Sequence, residues 1–229
     1  MKIKVVQDSG DGIDYLKKLL YSVVDNKTAL FLSGGKTPKD LYSQLTFEQK
    51  INPGAVAMVD ERYGEPLHPD SNEKMFEASG LLNYFKDKNI PFYGILQKKL
   101  DLKNTALQYN AKIRIIFSNF PKSVGILGVG FDGHIASLPA GIKNEKSKMK
   151  NQKYVTEIDN FPIEPKERVS MTFLGLSMLD YLIVLVLGSE KKRALDLMLE
   201  NGPIEEIPAR FFVKEDISPK TILITDQKI

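Results

Sequence analysis

The stretch Gly125-Ile126-Leu127-Gly128-Val129-Gly130-Phe131-Asp132-Gly133-His134-Ile135-Ala136-Ser137-Leu138 decides how this chain is read. It begins as a buried apolar strand and breaks into a glycine-rich turn that presents an aspartate and a histidine two residues apart. The sequence holds 2 histidines, and one of them stands in its most glycine-dense turn. Backbone approaches a ligand closely where side-chain bulk is absent. A histidine there, with a carboxylate at hand to orient it, is placed as a general base working near neutral pH. The bland reading is a partly buried histidine bonded to backbone. His68, in the proline-flanked loop Gly64 to Asn72, takes that bland reading.

Working outward, short apolar runs alternate with helical spacing. Residues 3–6, 29–32, 55–59, 123–127, 154–158, 168–173, 181–187 and 221–225 read as strands. Ile13, Leu16, Leu19, Leu20 and Val23 fall on one helical face. Met75 to Phe85, Asp101 to Phe117 and Ala194 to Leu199 supply further helices. The run 181–187 is uniformly apolar, as a central parallel strand should be. This alternation predicts a three-layer α/β/α sandwich around a largely parallel, Rossmann-like sheet. No repeat or linker divides residues 1–229, so one domain is expected.

Composition narrows the chemistry. With 42% hydrophobic and 27% charged residues, the chain has an ordinary globular balance. A net charge of +3 without a basic, aromatic-interleaved stripe argues against nucleic acid and suits a small anionic ligand. Cysteine is absent, which excludes thiolate chemistry and cysteine-bound zinc. The first residues start a strand rather than a signal peptide, and the longest apolar run is too short to cross a bilayer. A cytoplasmic protein with no membrane partner is expected.

Ser33-Gly34-Gly35-Lys36-Thr37-Pro38 breaks the second strand. Thr37 reads as the cap of the next helix, Pro38 as its first residue and Asp40 as the acid of a capping-box pattern. Strand, glycine turn and helix start make an anion site, because free amides and the helix dipole point at it. Asp60-Glu61-Arg62 follows the third strand, where open α/β sheets hold their ligands. Arg62, Arg168 and Lys191 are each a surface charge by default. Standing at strand edges on one side of the sheet, they instead surround a phosphate with the Ser33 turn. Lys143, Lys146, Lys148, Lys150 and Lys153 read as a solvated loop.

Gly128-x-Gly130-x-x-Gly133 also fits the dinucleotide fingerprint. That motif needs a helix directly after it and an acid about 20 residues on. Pro139 and Gly141 interrupt the following segment, so the dinucleotide reading is set aside.

Read together, Leu32 to Pro38, Asp60-Glu61-Arg62, Ser71-Asn72, Gly128 to His134, Arg168-Val169-Ser170-Met171-Thr172, Gly188-Ser189-Glu190-Lys191 and Pro208-Ala209 resemble the 6-phosphogluconolactonases. Their superfamily also holds glucosamine-6-phosphate deaminase. The resemblance implies hydrolysis of 6-phosphoglucono-1,5-lactone, a small sugar-phosphate lactone, without metal or cofactor. It assigns the phosphate to Ser33, Gly34, Gly35, Lys36, Thr37, Arg168 and Lys191. His134 becomes the base, with Asp132 and Arg62 at the reacting end. Asp60, Asn72, Gly130 and Gly133 complete the substrate contacts, and Arg62 or amides of the Gly130 to Gly133 turn hold the oxyanion. Deaminases of the superfamily carry tyrosine at the position of Arg62 and glutamate at that of Pro139. The loop's ending, Pro139-Ala140-Gly141, replaces the lactonases' Phe-Pro-Gly, and the tryptophan common near their C-terminus is missing. A non-catalytic sugar-phosphate module is the further alternative. It would be expected to carry a DNA-binding helix pair, whereas this chain starts with the sheet and keeps His134. A monomer, or at most a weak dimer, is expected.

Overall fold

The computed structural model describes residues 1–142 and 153–229, with the side chains of Lys36 and Thr37 outside the description. Lys143, Lys146, Lys148 and Lys150 therefore lie outside the described residues. Lys153 lies inside them and pairs with Glu157 at 3.2 Å, as a solvated charge does.

The chain runs β1 (Lys2–Val5), α1 (Ser9–Val23), β2 (Thr28–Leu32), α2 (Lys36–Glu48), β3 (Ala55–Met58) and β4 (Asp60–Arg62). It continues through α3 (Asn72–Ala78), α4 (Leu81–Asp87), β5 (Phe92–Tyr93), α5 (Leu102–Asn119) and β6 (Lys122–Gly128). The last third holds β7 (Val155–Ile158), β8 (Arg168–Met171), α6 (Phe173–Ser177), β9 (Tyr181–Val186), α7 (Lys192–Leu199) and β10 (Thr221–Thr225).

Seven strands form one sheet in the order β1-β10-β9-β6-β2-β3-β5, every neighbouring pair parallel. Helices flank it, as the alternation predicts. Its middle strands read apolar throughout because both faces are covered. Leu30, Phe31, Val124, Ile126, Ile183 and Val184 have no exposed surface. From β2 the chain proceeds outward through β3 and β5, while from β6 it proceeds the other way through β9 and β10. The order reverses between β2 and β6. A crevice at the carboxyl ends of those two strands is the expected ligand position in such a sheet.

Three expectations need correction. First, β4, β8 and β7 leave the main sheet and make a separate antiparallel one, with Arg62 directly opposite Arg168. Charged Asp60-Glu61-Arg62 gave no strand periodicity, so that sheet was invisible to it. Second, the pattern Met75 to Phe85 is two helices, broken at Gly80 with φ +78°. Third, Thr37 is not a cap. Helix α2 starts at Lys36, and Gly35, at φ +113°, is the cap residue with no side-chain bond to the first turn. That φ suits glycine and no β-branched residue, which is why the turn ends two residues before the capping-box pattern places it.

Candidate active site

The Gly128 to His134 turn is built by its own backbone. The Gly130 amide donates to the His134 carbonyl at 2.8 Å, and the Gly133 amide donates to the Gly130 carbonyl at 3.0 Å. Val129 and Ile135 pair across the turn as an antiparallel bridge. The His134 ring lies on the α-carbon of Gly130, where an added Cβ would sit 2.1 Å from Nδ1. Only glycine permits that contact. Through residue 142 no helix follows the turn, so the helix that the dinucleotide fingerprint needs directly after it is missing.

Asp132 Oδ1 lies 2.5 Å from His134 Nδ1 and also accepts from the His134 amide at 3.2 Å. Burial pulls the Asp132 carboxyl upward, but the hydrogen bonds and charge of His134 outweigh it and hold the group below its ordinary value. An ionised carboxylate on Nδ1 fixes the proton there and leaves Nε2 as the basic nitrogen. Among the described residues Nε2 has no hydrogen-bond partner. The buried ring of Phe161 meets the imidazole edge-on at 5.2 Å.

His134 opens onto a cleft of about 480 Å³ at the β2–β6 switch. The same cleft is lined by Ser33, Gly34 and Gly35 after β2, by Asp60 and Arg62 of β4, and by Asn72, Arg168 and Lys191. Fold topology thus gathers in one place residues that stand far apart in sequence. Gly130 also lines it. Gly133 does not: its amide is committed inside the turn and its α-carbon faces Ile207, so it shapes the turn rather than touching a ligand. The Gly130 and Gly133 amides are both used internally, which removes them as oxyanion donors.

The cations differ in how they are held. Arg168 is 5% exposed, donates to the Pro165 and Ile163 carbonyls at 2.9 and 3.1 Å, and stacks 3.6 Å above Phe161. Burial, reinforced by Arg62, pushes its guanidinium down to about 10. Lys191 donates to the Val129 carbonyl at 2.8 Å, and burial lowers its ammonium against the opposing pull of Glu190 and Asp132. Arg62 donates through Nη1 to the Asp70 carbonyl at 2.7 Å, while its buried Nε has no partner. Ser33 Oγ is likewise buried and unpartnered, although Tyr42 fixes the Ser33 carbonyl at 2.7 Å. Buried polar atoms are normally satisfied, so two orphans in one cleft mark where a polar ligand goes.

Other residues around the cleft brace it. Glu61 is fully buried and accepts from the Arg62, Asn72 and Glu73 amides at 2.7, 2.7 and 2.9 Å, clasping β4 to the start of α3. Burial pushes its carboxyl up to about 8, against those three donors. Asn72 donates to the Asp60 carbonyl at 2.9 Å and presses on Gly34, where any Cβ would collide with it. Ser137 donates to Asp60 Oδ2 at 2.6 Å. Ala209 donates to the Gly133 carbonyl at 2.8 Å, which gives the Pro208-Ala209 motif a bracing role. His68 faces the Arg62 carbonyl at 2.9 Å and serves the loop, as the bland reading holds. Among the described residues, no three of His, Cys, Asp or Glu gather as a metal site.

A family profile described as glucosamine-6-phosphate isomerases/6-phosphogluconolactonase matches residues 13–222. The chain belongs to this family. A 6-phosphogluconolactonase of Thermotoga maritima is 29% identical over 205 residues, covering 87% of this chain and 86% of its own. One from Xylella fastidiosa is 30% identical over 193 residues, covering 80% and 77%. A glucosamine-6-phosphate deaminase of Streptococcus equi subsp. zooepidemicus is 26% identical across 99% of this chain and 97% of its own. The crystal structure of the Thermotoga maritima 6-phosphogluconolactonase superposes with a TM-score of 0.74 at 25% identity, covering 98% of both chains. Both branches of the family thus share this fold, and the cleft residues have to separate them. Among the described residues, no helix is long and apolar enough to cross a membrane.

Proposed function

We propose that the chain hydrolyses 6-phosphoglucono-1,5-lactone to 6-phosphogluconate, with His134 as general base. The observation that carries this reading is the Asp132–His134 pair at 2.5 Å with Nε2 unpartnered on a cation-lined cleft. Nε2 takes a proton from a water as its oxygen attacks the lactone carbonyl. The tetrahedral intermediate then collapses, the bond from C1 to the ring oxygen breaks, and the imidazolium returns the proton to that oxygen as it leaves. Water is consumed, and one carboxyl and one hydroxyl form. General-base help of this kind is worth about 10² to 10⁴ in rate.

Arg62 Nε is the donor this reading assigns to the oxyanion, since it is buried beside the cleft without a partner. Ser33, Gly34, Gly35, the opening turn of α2, Arg168 and Lys191 take the phosphate, holding the carbonyl in place at the other end. Asp60 and Asn72 contact the sugar hydroxyls. The chemistry needs no metal or cofactor, and the whole chain acts as one domain.

The deaminase reading has support from the Streptococcus relative that aligns over 99% of the chain. Against it stand Pro139 and Arg62, at positions where the resemblance implies glutamate and tyrosine in a deaminase. The test generates the lactone in situ with glucose-6-phosphate dehydrogenase and follows its disappearance. Acceleration by the protein supports the lactonase. Ammonia release from glucosamine 6-phosphate, without lactone hydrolysis, overturns it.

A further inference from the structure

Phe131 lines the cleft, and the reaction above gives it no task. Its side chain is 60% exposed, yet it lines the same cleft as His134. It follows Gly130, whose α-carbon carries the His134 ring, and precedes Asp132, which holds that ring. The Gly130 amide bond to the His134 carbonyl closes the turn between them, and Phe131 and His134 face the same cleft. The turn's backbone is fixed by the Gly130–His134 and Gly133–Gly130 bonds. The ring therefore projects from a rigid base while remaining free to settle on a ligand.

The surrounding lining sharpens the point. Arg62, Arg168, Lys191, Asp60 and Glu190 bring charge to it, Ser33 and Asn72 bring polar groups, and its apolar side chains other than Phe131 are aliphatic. Among the described cleft residues, Phe131 is the only phenylalanine, tyrosine or tryptophan. Aromatic rings gain from covering flat apolar surface. A sugar ring presents such a surface in its C–H face, and an open polyol chain presents none of fixed shape.

We propose that Phe131 is a specificity-determining residue that covers the C–H face of a ring-closed sugar phosphate and distinguishes it from the open chain. Resting on the lactonase reading, this gives the cleft a means of favouring the cyclic substrate and releasing the linear product. Phe131 is exposed, so its replacement leaves the core intact.

The experiment measures equilibrium binding of two probes, glucose 6-phosphate as the ring and 6-phosphogluconate as the open chain. Wild type, Phe131→Ala and Phe131→Leu are compared. The Ala variant should weaken glucose 6-phosphate roughly tenfold, the scale of losing a covered aromatic face, and change 6-phosphogluconate less than about twofold. The Leu variant should fall between. Equal losses for both probes, or none for either, overturn the inference. The lactonase assay on wild type is a separate readout, so failure of that activity and failure of ring discrimination are told apart.

Discussion

The turns after β6 and β2 stand side by side in the sheet, both glycine-rich and both on one cleft, yet they treat their polar atoms in opposite ways. After β6, Asp132, His134 and the glycine amides are bonded to one another, leaving Nε2 of His134 as the free basic atom. After β2, Ser33 Oγ is buried with no partner, and Arg62 Nε in the same cleft is in the same state. Proton transfer needs a base held in one tautomer and one orientation before substrate arrives. Anion binding needs donors whose hydrogen bonds are completed only by the ligand. One turn is finished by folding, whereas the other is finished by binding.

The strongest way to break this contrast is His134→Ala. With the base gone, kcat for lactone hydrolysis should fall about 10² to 10⁴-fold while Kd for 6-phosphogluconate changes little, as steady-state kinetics and calorimetric titration would read. Comparable losses in both would mean the two turns are not separate in function.

Asp132→Asn comes next. An amide can accept from Nδ1–H or donate to Nδ1, so the tautomer is no longer fixed, and kcat should drop, by less than on removing the base itself. The substitution also has a signature in stability. The folded-state value of Asp132 lies below its unfolded value, so its contribution is present above the ordinary carboxylate range and is lost as pH falls through the lowered value. Thermal melts from pH 7 down to pH 2 should show a shallower acid-side decline for the Asn variant. An unchanged acid limb would mean that the pair is not formed in the free protein.

Arg168→Ala sharpens the phosphate side. Because this guanidinium holds the Ile163 and Pro165 carbonyls and covers Phe161, its loss should cost about 2 kcal/mol of stability as well as weaken phosphorylated ligands about tenfold. Denaturant midpoints separate the two effects. A weakened ligand with no loss of stability would make Arg168 a binding residue alone.

The parallel sheet was legible because β2, β6 and β9 are buried on both faces and therefore read as unbroken apolar runs. The His134 turn was legible because glycine spacing, an acid and a base are all local. By contrast, β4 was hidden, since its burial comes from Glu61 satisfying three amides and not from apolar side chains. The cap of α2 was misplaced because Thr37 and Pro38 form a good local signal that Gly35 pre-empts with a positive φ. Gly133 enters as a substrate contact through the resemblance, whereas its amide bonds inside the turn and it does not line the cleft. Phe161, which touches both His134 and Arg168, carries no motif at all. What escaped the sequence is what depends on contacts between distant segments.

The smallest effect is the most discriminating, and it concerns Ser33. A buried hydroxyl left unpaired costs the folded protein about 1 kcal/mol, a cost that the bound phosphate relieves by accepting its hydrogen bond. Ser33→Ala should therefore raise the melting temperature of the free protein slightly while increasing Kd for 6-phosphogluconate about fivefold. These two changes oppose each other, which a merely destabilising substitution cannot produce. In the His134 turn the same kind of truncation removes a satisfied group and should lower both stability and activity. If Ser33→Ala instead lowers the melting temperature, the hydroxyl is already bonded in the free protein, and the two turns no longer differ in the way that assigns one to the base and the other to the phosphate.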